Sequence, residues 1–186
     1  MLGYAFCGSF CTHAAALREL QRLITSGYDI QPIISETVLR TDTRFGTARA
    51  LREEIESLCG RAVIHTVVDA EPLGPSLRLD ALILSPCTGN TLAKIANGIT
   101  DTSVCMAAKA HLRSDRPLVI SLASNDALSA NLKNIATLLS RKHVYFVPMH
   151  QDDPEKKPHS LVADFTLLQP TLQAAFEGKQ FRKLFL

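Results

Sequence analysis

The chain has 186 residues, 46% of them hydrophobic and 20% charged, with a formal net charge of +2. This length and mix can bury a core without staples, and they exclude a disordered, a collagen-like and a disulfide-scaffold chain. With 20 basic against 18 acidic residues, no global field exists to hold nucleic acid or an anionic membrane.

Five cysteines, Cys7, Cys11, Cys59, Cys87 and Cys105, are an odd number in apolar or small-residue contexts. Reduced thiols in a cytoplasm are the simpler expectation. The first residues carry no basic n-region, and Gly8-Ser9 breaks their apolar run, so a signal peptide is not expected. No run of about 18 apolar residues predicts a membrane span.

In chain order, Leu2 to Cys7 is a short apolar run ending at Gly8-Ser9. A helical pattern through Leu17, Leu20, Leu23 and Ile24 follows and stops at Gly27. Ile30 to Ile34 is a second run, closed by Ser35. A polar segment, Thr41 to Gly46, leads to a helix from Thr47 to Leu58 that stops at Gly60. Ala62 to Val68 is a β-branched third run, and Glu71 to Pro75 a Pro/Gly-rich connector.

Leu79 to Leu84 is the fourth run, followed by the loop Ser85-Pro86-Cys87-Thr88-Gly89-Asn90 and a helix from Thr91 to Ile99. A further helix is predicted from Thr102 to Leu112. Leu118 to Leu122 is the fifth run, Leu128 to Leu139 is helical, and Val144 to Val147 is the sixth run. After Pro148 a polar, proline-bearing loop precedes a last helix, roughly Leu167 to Glu177.

Six short, nearly continuous apolar runs with helices between most of them imply strands buried on both faces. The expected fold is an α/β three-layer α/β/α sandwich around a mainly parallel six-stranded sheet, Rossmann-like or flavodoxin-like. A single domain over residues 1–186 is expected, with the long loop and C-terminal helix from about 148.

In such a sheet, ligands bind outside the carboxyl ends of the strands. Four predicted strand ends carry small hydroxyl or amide residues: Gly8-Ser9, Ser35, the Ser85 to Asn90 loop, and Ser124-Asn125. Glycine admits a phosphate close to the backbone, hydroxyls donate to its oxygens, and a following helix points free N–H groups at it. The same residues also serve as plain helix caps, so both readings stand.

Neither G-x-G-x-x-G nor G-x-x-x-x-G-K-[ST] occurs, which disfavours a dinucleotide or ATP site and suits one terminal phosphate better. Cys7-x-x-x-Cys11 lacks a third cysteine at iron–sulfur spacing, and His143, His150 and His159 are read as solvated or core histidines, so no metal is expected. Ser9 lacks a G-x-S-x-G elbow. Lys94, Lys109, Arg113 and Lys133 fall in helical segments, where solvent-facing charge is the default.

With these loops in place, the segment Ser85-Pro86-Cys87-Thr88-Gly89-Asn90-Thr91-Leu92-Ala93-Lys94-Ile95-Ala96-Asn97-Gly98-Ile99-Thr100-Asp101 resembles the P-A-S-A-N-T-x-A-K-x-A-x-G-x-x-D signature of the homo-oligomeric flavin-containing cysteine decarboxylase superfamily. Gly8-Ser9 resembles its first phosphate loop, and Leu122-Ala123-Ser124-Asn125 stands where it often has P-x-M-N. Thr43-Arg44-Phe45-Gly46, Ala70 to Pro75, Asn125-Asp126-Ala127-Leu128, Gln151 to Pro154 and Lys157 to Ala163 resemble the branch serving pyridine-2,6-dicarboxylate synthesis.

The resemblance implies an FMN-dependent oxidoreductase subunit in the cytoplasm of a sporulating bacterium, assembled as a trimer or dodecamer. A dehydrogenase-like partner subunit would carry NAD(P). It places phosphate contacts on Gly8, Ser9, Ser35, Ser85 and Thr88, with Pro86 and Gly89 in the same loop, and Asn90 and Asn125 nearer the ring or substrate. Leu122 and Ser124 depart from P-x-M-N, and the decarboxylase histidine has no counterpart, which speaks against cysteine decarboxylation. Two alternatives stay open: a non-catalytic partner that presents substrate, and a decarboxylase or prenyltransferase relative. Arg44 could grip a substrate carboxylate bidentately or only brace its own loop, Asn125 is the other catalytic candidate, and His159 is a candidate base.

Overall fold

The computed structural model describes residues 1–74 and 76–186; Pro75, the end of the expected connector, lies outside the described residues. The strands are β1 (Leu2–Phe6), β2 (Ile30–Ile34), β3 (Ala81–Cys87), β4 (Leu118–Ser124), β5 (Val144–Phe146), β6 (Met149–His150) and β7 (Leu161–Ala163). The helices are α1 (His13–Thr25), α2 (Glu36–Arg40), α3 (Ala48–Cys59), α4 (Val67–Ala70), α5 (Gly89–Ala96), α6 (Ser103–Leu112), α7 (Leu132–Leu139) and α8 (Leu168–Phe176). A 3₁₀ turn, Phe10–Thr12, leads into α1.

The sheet has seven strands in the order β2-β1-β3-β4-β7-β6, with β5 also paired to β4. β1 to β5 are parallel, and the winding reverses between β1 and β3. β4 is long enough to pair β5 along its first half and β7, antiparallel, along its second. The three layers and the mainly parallel sheet are thus as expected, with a seventh strand and an antiparallel edge added by β6 and β7.

Every residue of β1 to β3 and β5 is buried, so helices must cover both faces. Successive residues feed opposite layers. Ala5, Leu82, Leu84 and Ile120 pack under α5, α6 and α7 through Leu92, Ala108 and Leu138. Tyr4, Phe6, Ile83 and Val119 pack under α1, α3 and α8 through Leu20, Ile55 and Leu172. Each such Leu or Ile contributes about 1.5–3 kcal/mol by leaving water.

Three expectations fail in instructive ways. Ala62–Val68 is not a strand: only Ile64 bridges Ile33, and Thr66 then caps α4 by accepting the Asp69 N–H at 3.0 Å. The cap converts Val67 to helix so that Ala70 can be buried, and it leaves Val68 79% exposed, overriding β-branched propensity. The loop after Pro148 contains β6 and β7, which are too short to show a pattern but close the outer edge of β4. The helix expected from Leu128 begins only at Leu132, because the Ser129 and Asn131 amides donate back to the Asp126 carbonyl as a turn.

Candidate functional site

The reversal of winding brings the loops after β1 and β3 side by side. The Cys7 N–H donates to the Pro86 carbonyl at 3.1 Å, joining the two loops at their base. Ser35, at the end of β2, donates its N–H to Phe6 O at 3.0 Å, while its hydroxyl, 7% exposed, accepts from Val38 N and caps α2.

Ser9 is half-exposed. Its N–H turns back to Cys7 O at 2.9 Å, and the Thr12 hydroxyl donates to the Ser9 carbonyl at 2.8 Å and lies 3.2 Å from Ser9 Oγ. Thr88 caps α5: its Oγ1 accepts from Thr91 N at 3.2 Å and pairs with Thr91 Oγ1 at 3.1 Å. The Gly89 and Asn90 amides of that first turn have no partner among the described residues. Asn90 and Asn125 are both exposed at the mouth.

Ser85 is a correction. Expected as a phosphate contact, it is fully buried beside Tyr4, and its hydroxyl has no partner among the described residues. Alternation along β3 turns it into the sheet interior, where no ligand in the crevice reaches it. Pro86 is also buried and contributes its carbonyl to the Cys7 amide instead of a surface.

Arg44 does not follow β2 directly, since α2 intervenes. It sits exposed on the turn in which Thr43 and Gly46 exchange hydrogen bonds, with its guanidinium 4.9 Å over the Phe45 ring. His159 is exposed, and its carbonyl accepts from Leu128 N at 2.9 Å, which lays the 151–160 loop over the end of β4. Lys157 is paired with Asp152 at 2.8 Å in that loop. Among the described residues no three His, Cys, Asp or Glu side chains are grouped to hold a metal.

Residue-by-residue reading misses Asp126 as a site organiser. Its carboxylate accepts from Ser124 Oγ at 2.5 Å and, through both oxygens, from Asn131 Nδ2 at 2.9 Å; Asn131 Oδ1 accepts from Asn134 at 2.8 Å. Hydrogen bonds, first of all from Ser124, hold the Asp126 carboxyl below the usual range. This network lies directly on Gly89. The available signal is an acid just past a strand end, the usual start of an Asx turn. Behind the loops, Cys7, Cys87 and Cys105 are buried in one core cluster. The adjacent Cys7 thiol and then burial push Cys87 well above the ordinary range, and burial pushes Cys105 up to about 11. Cys87 and Cys105 are therefore protonated at neutral pH.

His13 opens α1. Its Nε2 donates to Cys7 O at 2.7 Å, and burial lowers its pKa; His111, whose Nε2 donates to Pro117 O at 2.8 Å, is lowered for the same reason. Both histidines are neutral in the native state but take up a proton near 6.5 once unfolded. Below 6.5 the unfolded chain therefore binds more protons, so stability present above that pH is lost as pH falls toward the native pKa values. Thermal melting followed from about pH 7.5 to pH 5 should show the midpoint dropping, and His13→Gln with His111→Gln should flatten that slope.

Loops bearing hydroxyls and free amides, gathered where a doubly wound parallel sheet reverses, place the molecule among α/β proteins with a strand-end crevice. The family model described as Flavoprotein matches residues 3–166. The B subunit of dipicolinate synthase from Bacillus subtilis (strain 168) is 41% identical over 183 residues, covering 98% of this chain and 92% of that protein. The crystal structure of the B subunit of dipicolinate synthase from Bacillus halodurans C superposes with a TM-score of 0.91 at 38% identity, covering 100% of this chain and 95% of that one. The FMN-dependent cysteine decarboxylase SpaF superposes at 0.66 with 25% identity, over 94% of this chain and 95% of that one. The chain belongs to the Flavoprotein family, in the branch that holds the B subunit of dipicolinate synthase.

Proposed function

We propose that the chain is the flavin-binding member of a two-subunit oxidoreductase. With the A subunit of dipicolinate synthase, a dehydrogenase-like partner, it would oxidise dihydrodipicolinate, or its hydrated tetrahydro form, to pyridine-2,6-dicarboxylate. The observation that carries this reading is the side-by-side placement of the Gly8-Ser9 and Thr88-Gly89-Asn90 loops at the β1/β3 reversal. Similarity to an FMN-dependent relative supports the cofactor, and a dodecameric UbiX-like relative of 25% identity supports assembly as a symmetric homo-oligomer.

The residues present fit a phosphate-bearing flavin. At Gly8 neither backbone conformation nor packing demands glycine. A Cβ there would meet Thr37 Cγ2 at 3.4 Å and Phe10 at 3.6 Å, ordinary contacts, so the missing side chain serves to keep the loop open. The Gly89 and Asn90 amides and the Ser9 hydroxyl would hold the phosphate, with α5's positive end behind them. Bound FMN would supply a two-electron acceptor. Asn125, at the mouth, would orient the substrate ring, and loss of two hydrogens makes that ring aromatic, so positioning is the main task left to the protein. NAD(P) would bind on the dehydrogenase-like partner.

Adding FMN to the purified protein and desalting should leave a flavin absorption band. Ser9→Ala should weaken retention about tenfold, the share of one charge-assisted hydrogen bond. A colourless protein after desalting would recast the chain as a non-catalytic partner that presents substrate to the dehydrogenase-like one.

A further inference from the structure

A cavity of about 440 Å³ lies in the groove between α1 and α3, lined also by the 41–47 segment and by Phe10, which follows the Gly8-Ser9 loop. Its size is that of a small-molecule site. Phe10, Leu17 and Leu51 give it apolar lining, and His13 lines it as well. The His13 ring is held edge-on to Phe6 with centroids 5.8 Å apart, and donates Nε2–H to Cys7 O. That fixes the neutral tautomer, leaving Nδ1 a bare acceptor.

The charges around the groove are more telling. On α1, Arg22 pairs with Glu19 at 2.7 Å; on α3, Arg49 pairs with Glu53 at 2.7 Å and Arg52 with Glu56 at 3.1 Å. Among the described residues, the charged side chains of these two helices left without an ion pair are Arg18 on α1 and Glu54 on α3. Both line the cavity, on facing helices and with opposite sign. Two such charges that do not pair with each other complement a ligand carrying both signs.

We propose that this groove binds a free α-amino acid with an aromatic side chain. Its carboxylate lies on Arg18, its ammonium on Glu54, and its ring on Phe10, Leu17 and Leu51. Arg18 and His13 both line the cavity from α1, five residues apart and so about 7.5 Å along the axis. A phenolic hydroxyl at the ring's end would donate to His13 Nδ1.

Isothermal titration of the full chain with L-phenylalanine and with L-tyrosine tests this. Saturable binding in the roughly millimolar range or tighter is expected, with tyrosine the stronger ligand. Phenethylamine and 3-phenylpropionate, each lacking one charge, should bind about tenfold more weakly, and Arg18→Gln and Glu54→Gln should each cost wild-type affinity by a similar factor. Both substituted residues are exposed, so the variants should fold. No saturable heat with either amino acid, or equal affinity in both variants and the parent, overturns the proposal.

Discussion

Replacing Gly89 with alanine is expected to abolish flavin retention while leaving the chain folded. The added Cβ would lie 2.6 Å from Asn131 Nδ2 and 2.9 Å from Asp126 Oδ1, and closer still to Ser124 Oγ. None of these atoms swings away freely, because Ser124 and Asn131 are both hydrogen-bonded to the Asp126 carboxylate. Either that network breaks or the first turn of α5 moves off the crevice, taking the Gly89 and Asn90 amides with it. Overpacking of this kind costs roughly 1–3 kcal/mol, and a phosphate cradle displaced by about an ångström loses binding by roughly a hundredfold. Flavin titration with thermal melting separates the two effects. The double variant Gly89→Ala/Ser124→Gly removes the closest overlap and should recover much of the loss, a coupling that independent sites would not show. Retention by Gly89→Ala equal to the parent would mean that the Asp126 network does not set the loop.

The second large effect is expected far from the crevice. Gly74 has φ +115°, a conformation that side chains rarely adopt, and a Cβ there would come within 2.9 Å of the Ala110 carbonyl carbon and closer to its oxygen. That obstacle is backbone of α6 and cannot rotate aside. Strain and overpacking together put Gly74→Ala at roughly 3–5 kcal/mol, a fall in melting temperature on the order of 10 °C for a chain of this size. Gly27→Ala is the control: its φ is +88°, but nothing lies within 4 Å of the added Cβ, so only about 1–2 kcal/mol of conformational strain is expected. If the two variants melt together, the close approach to α6 is not what holds Gly74.

Both positions show where one-dimensional reading stops. In sequence Gly74 belongs to a connector and Gly89 to a phosphate loop, and in neither case does the local sequence contain the reason. The partners are Ala110, on α6, and the Ser124–Asn131 segment beyond β4. The 440 Å³ groove is likewise invisible in sequence, because α1 and α3 are joined only through β2 and α2. Intrahelical pairing of Arg49 with Glu53 and Arg52 with Glu56 follows from i,i+4 spacing. That Arg18 and Glu54 are left facing one cavity does not.

The apolar runs from Leu2, Ile30, Leu79, Leu118 and Val144 did determine β1 to β5, since strands buried on both faces are apolar at most positions, with Gln31, Ser85 and Ser121 the buried polar residues among them. Their alternation with amphipathic helices determined the three layers, and small polar residues after four of the runs marked the sheet end at which the proposed site is placed. Tertiary structure alone decided how those marks were used. Pleat direction turned Ser85 inward, the Thr66 cap drew Val67 out of a strand, and pairing along the second half of β4 made strands of two segments too short to announce themselves. Periodicity encodes the direction a side chain faces relative to its own element. Which atoms wait on the other side depends on chain segments that are distant in sequence, and only folding brings them there.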